Sequence, residues 1–306
     1  MEYGIGIDMG GTRIKVVVMQ KNGVIKQHCI WTTDDNTQNS SAASVPIWAR
    51  KIRAGTDAIV ERLQAPPRWI GIATPGLADK HNKRIEIMPG RLNGLEKFDW
   101  ENHLAPDCST FVLNDAHAAL CGEVSLGAAK GKQNVVMLTL GTGVGGAIMI
   151  DGKLIQGRLG RAGHIGHLSV DYTGEPDICG TPGSIEDLFG DHSIVKRSNG
   201  LVSSTKELVE LYRQGDSRAE GYWLESIRAV AATIASVINL LDPEAVILGG
   251  GITEAGRSLL DPLNGFLDSF EWRPDGNRVP IITANLKDYA GAIGAAAFAR
   301  NMVQNL

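Results

Sequence analysis

Three glycine-rich turns and two aspartates are the residues of this 306-residue chain best suited to chemistry. DMGGTR (8–13) and LGTGVGG (140–146) are glycine hairpins, and successive backbone N–H groups in such turns form nests that bind anions. Two of them could hold a phosphate chain from both sides, through Gly10 and Gly11 in one and Gly141 and Gly143 in the other. The hydroxyls of Thr12 and Thr142 would add donors. Asp8 ends the first strand, in a place to hold Mg²⁺ through water, as magnesium usually sits beside phosphates. A third turn, Gly249, Gly250 and Gly251, follows an apolar strand and would let a flat adenosine approach the backbone. FVLNDAHAA places Asn114 and Asp115 where a strand becomes a helix. An aspartate there is either a helix N-cap or a ligand-facing group at the carboxyl end of a strand, and the residues alone leave both readings open.

The stretch 141–146 also matches the dinucleotide pattern G-x-G-x-x-G letter for letter. That pattern needs a helix behind it to hold a pyrophosphate, whereas AIMIDGKLI follows here, β-rich and closed by Asp-Gly. A dehydrogenase reading fails on that context. A second stretch, GRAGHIGHLSVDYTGEPDICGTPGSIED, has the rhythm of a metal clip: His164 and His167 three apart, then a Cys-Gly-x-x-Gly turn. It holds one cysteine, Cys179, so it is a zinc site, the remnant of one, or a turn whose histidines serve another purpose.

The elements that must position these residues repeat. GIGIDMGGTRIKVVVMQKNGVIKQHCI and VVMLTLGTGVGGAIMIDGKLI both read as strand, glycine turn, strand, Asn-Gly or Asp-Gly turn, strand. They start about half a chain apart, which predicts a duplicated β-meander, one copy per domain. A helix is expected over 47–63, and the clearest one over 219–241, where Ile227, Val230, Ala231, Ile234, Val237, Ile238 and Leu241 share a face until Pro243 stops it. Strands alternating with helices imply an α/β protein. AGAIGAAAFARNM reads as a small-residue helix able to pack closely on the first domain.

Composition narrows the function classes. Thirty-seven glycines exceed the usual share of about 7% and cluster where ligands would approach. A net charge of −4 argues against a nucleic-acid backbone as partner. No apolar run approaches the roughly 18 residues that span a bilayer, and the chain enters a strand at once, with no secretory leader. Four unpaired cysteines suit a reducing cytoplasm.

With these motifs in order, the chain resembles the ROK family of bacterial sugar kinases and sugar-responsive repressors. GIDMGGTRIK resembles the family's first phosphate motif, which includes Lys15; IATPGLAD, with Gly76, its sugar-proximal strand and turn; LNDAHAALCGE the segment holding the catalytic aspartate; LTLGTGVGGAIMIDGKLIQG the second phosphate motif; and DPEAVILGGGI the adenosine motif. The resemblance implies the two-domain actin-like/ribonuclease H-like ATPase fold with a cleft between duplicated β-meander domains: a small one (1–114 plus a terminal helix, 288–306) and a larger one (115–287). It implies ATP (or polyphosphate) and Mg²⁺, a hexose substrate, a homodimer, and Asp115 as general base. Asn114, and Asn93 with Arg91 nearby in MPGRLNGLE, would bind sugar hydroxyls. Family repressors carry a DNA-binding segment ahead of the first phosphate motif, where this sequence has seven residues before Asp8, so a kinase is expected over a repressor or a silent sugar-binding protein.

The family also answers the histidine stretch. Its ExGH reads His164-Ile165-Gly166-His167 here, and its clip C-x-C-G-x-x-G-C-x-E reads from Asp177 to Glu186. His167 and Glu186 are kept, and would contact the anomeric side of the sugar. Asp177 and Ser184 stand where cysteines bind zinc, so at most three ligands remain and zinc is expected to be absent. His164 replaces a carboxylate with a ring that can also donate, which points to a hexose differing from glucose at carbons 1 and 2.

Overall fold

A computed structural model describes residues 2–33, 45–88, 92–104 and 108–304; Arg91 lies outside them. The chain divides into two compact units. The first comprises Met1–Gly131, Leu154–Ala162 and Asn285–Leu306. Its strands are β1 (Tyr3–Met9), β2 (Arg13–Gln20), β3 (Ile25–Thr32), β4 (Trp69–Thr74) and β7 (Ser109–Asn114), in the order β3-β2-β1-β4-β7, with a short hairpin of β5 (Leu77–Ala78) and β6 (Ile85–Ile87) beside them. β1 to β3 form an antiparallel meander, and β1, β4 and β7 run parallel. The register pairs Asp8 with Ala73 and Thr74 with Asn114, so Asp8 and Asn114 leave the sheet at the same carboxyl edge.

Two-residue periodicity explains both faces of this sheet. Along β1, Tyr3, Ile5, Ile7 and Met9 join Ile70 and Ile72 of β4 in a core closed by α1 (Ile47–Leu63) and α2 (Trp100–Leu104). α1 has the expected bounds; it buries Trp48, Ala49, Ile52, Thr56 and Ile59 at helical spacing and stops where Gln64 turns left-handed at φ 52°. The alternating positions, Gly6 and Gly71, face α9 (Ala290–Gln304). A Cβ on either would lie about 2 Å from an α9 carbonyl, so helix and sheet approach backbone to backbone. α3 (Asp115–Leu126) lies against the same helix, Gly122 beside Ala290. The division therefore falls after Gly131, not between 114 and 115, because α3 packs on α9. Glu123, fully buried in α3, accepts hydrogen bonds from the amides of Ala128 (2.7 Å), Asn285 (3.1 Å) and Leu286 (2.9 Å).

The second unit, Lys132–Lys153 with Gly163–Ala284, repeats the plan. β8 (Val135–Leu140), β9 (Val144–Ile150), β10 (Lys153–Leu154), β11 (Ala245–Gly249) and β12 (Ile281–Thr283) form a sheet ordered β10-β9-β8-β11-β12. Meander strands occupy one side and parallel neighbours the other, as in the first sheet. α4 (Ile185–Phe189), α5 (Ile194–Arg197), α6 (Thr205–Arg213), α7 (Ser217–Leu241) and α8 (Arg257–Phe270) cover it. α7 starts two residues before the expected helix because Asp216 caps it, accepting from the amides of Arg218 and Ala219. An 18-residue window within it has mean hydropathy 1.5, with Glu225 and Arg228 interrupting its apolar run. Trp223, Ile227, Val230 and Ile234 set that stripe into the unit's core.

Candidate active site

In the first unit, the capping question at 114–115 has a definite answer. Asn114 is the N-cap of α3: its Oδ1 accepts from Ala116 N (2.9 Å) and His117 N (3.3 Å), and its Nδ2 donates to Gly76 O (3.1 Å). Asp115 is thereby relieved of capping and sits exposed on the first helical turn, its Oδ1 accepting from Ala116 N (2.8 Å). Gly76, Asn114 and Asp115 thus form one cluster. Asn93 is exposed, and its carbonyl accepts from the Trp48 indole N–H (3.3 Å).

Asp8 lies at the end of β1 on the α9 face. A Cβ at Gly291 would fall 2.8 Å from its carboxyl carbon, so glycine is what gives the carboxyl room at the start of that helix. Burial pushes the Asp8 carboxyl up to about 7; the Asp115 charge adds to the rise, the Lys15 ammonium opposes it, and Asp288 adds again. Lys15 is the cross-strand partner of Asp8 and reaches Asp288 at 3.6 Å. A carboxyl so raised is short of positive charge.

The glycine turns separate into two kinds. Gly10 N donates to Arg13 O (2.9 Å) and Gly141 N to Gly143 O (3.0 Å), so these two amides close their own turns rather than pointing at a phosphate. Yet a Cβ at Gly11, Gly141 or Gly251 would meet nothing within 4 Å, and none of the three has a positive φ. Neither backbone conformation nor the protein's own packing requires glycine there. Gly250 is different: φ is 89° and a Cβ would stand 2.3 Å from Leu140 O, which presses the third turn against the strand leading to the second. Together, Gly141, Thr142 and Gly251 line one cavity of about 520 Å³.

The same cavity is walled by residues the sequence reading missed: Asp191, Lys206, Glu210, Arg213 and Glu254 among them. Arg213 donates to Ala255 O (2.7 Å) and Ser258 Oγ (3.0 Å), holding the segment after Gly251. The available signal was the polar face of α6 behind its Ser204 cap, which nothing in the local pattern distinguishes from an ordinary solvated helix.

The histidine stretch meets the second hairpin through α4. Glu186 accepts from Val144 N (3.1 Å), and its carboxylate occupies the space a Gly143 side chain would need. Asp191 N and His192 N donate to the carbonyls of Gly141 and Thr142. His192 further bonds Thr142 O (2.9 Å) and Asp187 (2.9 Å) through its ring. The turn Ile165–His167 packs Gly166 on the Val144 carbonyl, so His164, His167, Glu186 and the hairpin form one contiguous assembly. β9 directly follows the glycines, as the dehydrogenase reading could not accommodate.

Known proteins resemble this chain over nearly its whole length. The sequence pattern of the ROK family matches residues 4–302. A glucokinase of Thermotoga maritima is 29% identical, over 98% of this chain and 98% of its own length. An N-acetylmannosamine kinase of Vibrio cholerae is 31% identical, over 96% of this chain and 98% of its own. Among solved structures, a ROK family glucokinase from Streptomyces griseus in complex with glucose and AMPPNP has a TM-score of 0.76 at 29% identity, with 98% of this chain and 99% of that one covered. The fold is that of the actin-like ATPases. From its second β-strand residue to its last helix, the chain belongs to the ROK family.

Proposed function

We propose that this protein is a sugar kinase that moves the γ-phosphoryl group of ATP to a hydroxyl of a hexose or hexose derivative, with Asp115 as general base. The observation that carries the reading is the division of labour at 114–115: Asn114 satisfies the helix, leaving an exposed carboxylate at the carboxyl edge of a parallel sheet. Sugar hydroxyls are weak nucleophiles at neutral pH, and a carboxylate that takes the proton as the oxygen attacks supplies typically 10²–10⁴-fold. Asn114 retains a second amide hydrogen for a sugar hydroxyl. In the second unit, the amides of Thr142 and Gly143 would meet phosphate oxygens, and the cavity lined by Gly141 and Gly251 would take the nucleoside.

Asp8, raised by burial and by Asp115, has the character of a group that a cation would relieve, and Lys15 alone does not return it to the ordinary range. Mg²⁺ held there through water would neutralise phosphate charge as it develops. The glucokinase and N-acetylmannosamine kinase relatives support a hexose-type acceptor, and His164, in place of the family carboxylate, favours one altered at carbons 1 or 2.

The test is ATP turnover against glucose, mannose, allose, fructose and the N-acetylated hexosamines, with Asp115→Asn as the control variant. Transfer should fall at least 10³-fold in Asp115→Asn while sugar affinity stays within a few-fold. Near-normal turnover by that variant would overturn the base assignment, and no turnover with any sugar would favour a regulatory role.

A further inference from the structure

The turn 164–186 is held by a carboxylate in a way that leaves no place for a metal. Asp177 has a fully buried side chain. Its Oδ1 accepts from the amides of Cys179 (2.8 Å) and Thr181 (2.9 Å), and its Oδ2 from His167 Nδ1 (3.0 Å). The Ser184 hydroxyl adds a further hydrogen bond. Burial on its own would raise this carboxyl; the bonds from His167, Thr181, Cys179 and Ser184 outweigh it and hold the group below the ordinary carboxylate range.

His167, Asp177 and Cys179 each bring a ligand-type atom within 4.8 Å of the others, which by distance alone suggests zinc. The donor set does not fit it. Zinc in a structural site takes four ligands, its cysteines as thiolates. Both Asp177 oxygens and His167 Nδ1 face one another and the turn's amides. That leaves His167 Nε2 and Cys179 Sγ, 3.8 Å apart. Burial and the Asp177 and Glu186 charges push this thiol up, and two ligand atoms are half of what a structural zinc takes. Ser184 Oγ is engaged as the N-cap of α4, accepting from Asp187 N (3.3 Å).

We propose that the Asp177 carboxylate cross-links this turn in place of a metal ion, and fixes His167 with its proton on Nδ1 so that Nε2 acts as an acceptor. A histidine bound to an ion through one nitrogen carries its proton on the other and donates from it. Here the polarity is reversed: the buried acid takes the Nδ1 proton's hydrogen bond, and the outward nitrogen presents a lone pair. Asp177 is a positioning residue, and its effect does not depend on the sugar-kinase reading.

The experiment uses the full chain and no substrate. Metal content of purified protein is measured by plasma mass spectrometry, and melting temperature is read with and without a strong zinc chelator. The tautomer of His167 is read from long-range ¹H–¹⁵N spectra, assigned by its loss in His167→Gln. Expected are well under one zinc per ten chains, no chelator effect, an Nδ1-protonated ring, an unchanged melting temperature for Cys179→Ser, and a fall of about 5 °C for Asp177→Asn, which loses the charge that strengthens these bonds. One zinc per chain with a chelator-sensitive melt overturns the proposal. So does an Nε2-protonated His167, or an Asp177→Asn protein as stable as wild type. If Asp177→Asn does not fold, the metal content, chelator response and tautomer of the wild type decide.

Discussion

Replacing Asp8 by asparagine should make the ligand-free protein more stable above neutral pH and no more stable near pH 3. Burial and the Asp115 charge take the Asp8 carboxyl from an ordinary 3.8 to about 7. At ~1.36 kcal/mol per tenfold change in proton affinity, ionising it in the folded state costs about 4 kcal/mol, an upper bound because the residue retains partial contact with solvent. The sign follows from linkage. The folded state binds this proton more tightly than the unfolded chain, so wild-type stability falls as pH rises from about 4 to about 7 and is flat above. Asparagine cannot ionise, so the gap between variant and wild type should be near zero at pH 3, about 1 kcal/mol at pH 4.5 and roughly 2–4 kcal/mol at pH 8. Urea unfolding followed by tryptophan fluorescence suits the measurement, since Trp31, Trp48, Trp69 and Trp100 all report on the first unit. Magnesium nucleotide should stabilise wild type at pH 8 and do far less for the variant, which loses turnover. A pH-independent gap, or a variant less stable at pH 8, would refute the electrostatic reasoning.

Gly294→Ala would place a methyl 1.6 Å from the Ala118 carbonyl, forcing α3 and α9 apart; a loss of about 3 kcal/mol in urea unfolding is expected, with the second unit's Trp223 signal unmoved. Arg213→Ala releases the segment after Gly251 from two hydrogen bonds, and should raise the KM for ATP about 10-fold with kcat within about twofold, as steady-state kinetics would read.

Much of this protein was legible because local rules and global packing agree. Ile47 to Leu63 alternates with the helical period and ends where the chain must turn left-handed, so its bounds could be read directly. The two meanders declared themselves by Asn-Gly and Asp-Gly turns, and both sheets follow one strand order. What escaped was decided by atoms far apart in sequence. The choice of Asn114 rather than Asp115 as cap depends on Gly76, 38 residues away, taking the Asn114 amide. The inclusion of α3 in the first unit depends on glycines meeting α9 about 170 residues on. The α6 wall of the cavity was invisible because Lys206, Glu210 and Arg213 are ordinary helix-surface residues until the fold brings Gly141 and Gly251 beside them. Counting cysteines correctly flagged the unusual clip, but no count could show that Asp177 gathers its amides around itself.

The packing of α9 on β1 and β4 has a consequence for biosynthesis. The strands that open the chain cannot cover their glycine-bearing face until residues 290–304 have left the ribosome, whereas every segment of the second unit has emerged by residue 284. At ~5–20 residues per second, the amino-terminal sheet waits roughly ten to thirty seconds after Gly131 is made. Through most of that interval the second unit is still being made, and only for the last ~1–4 seconds is it complete while the first sheet is uncovered; that is when a chaperone would have the most to hold.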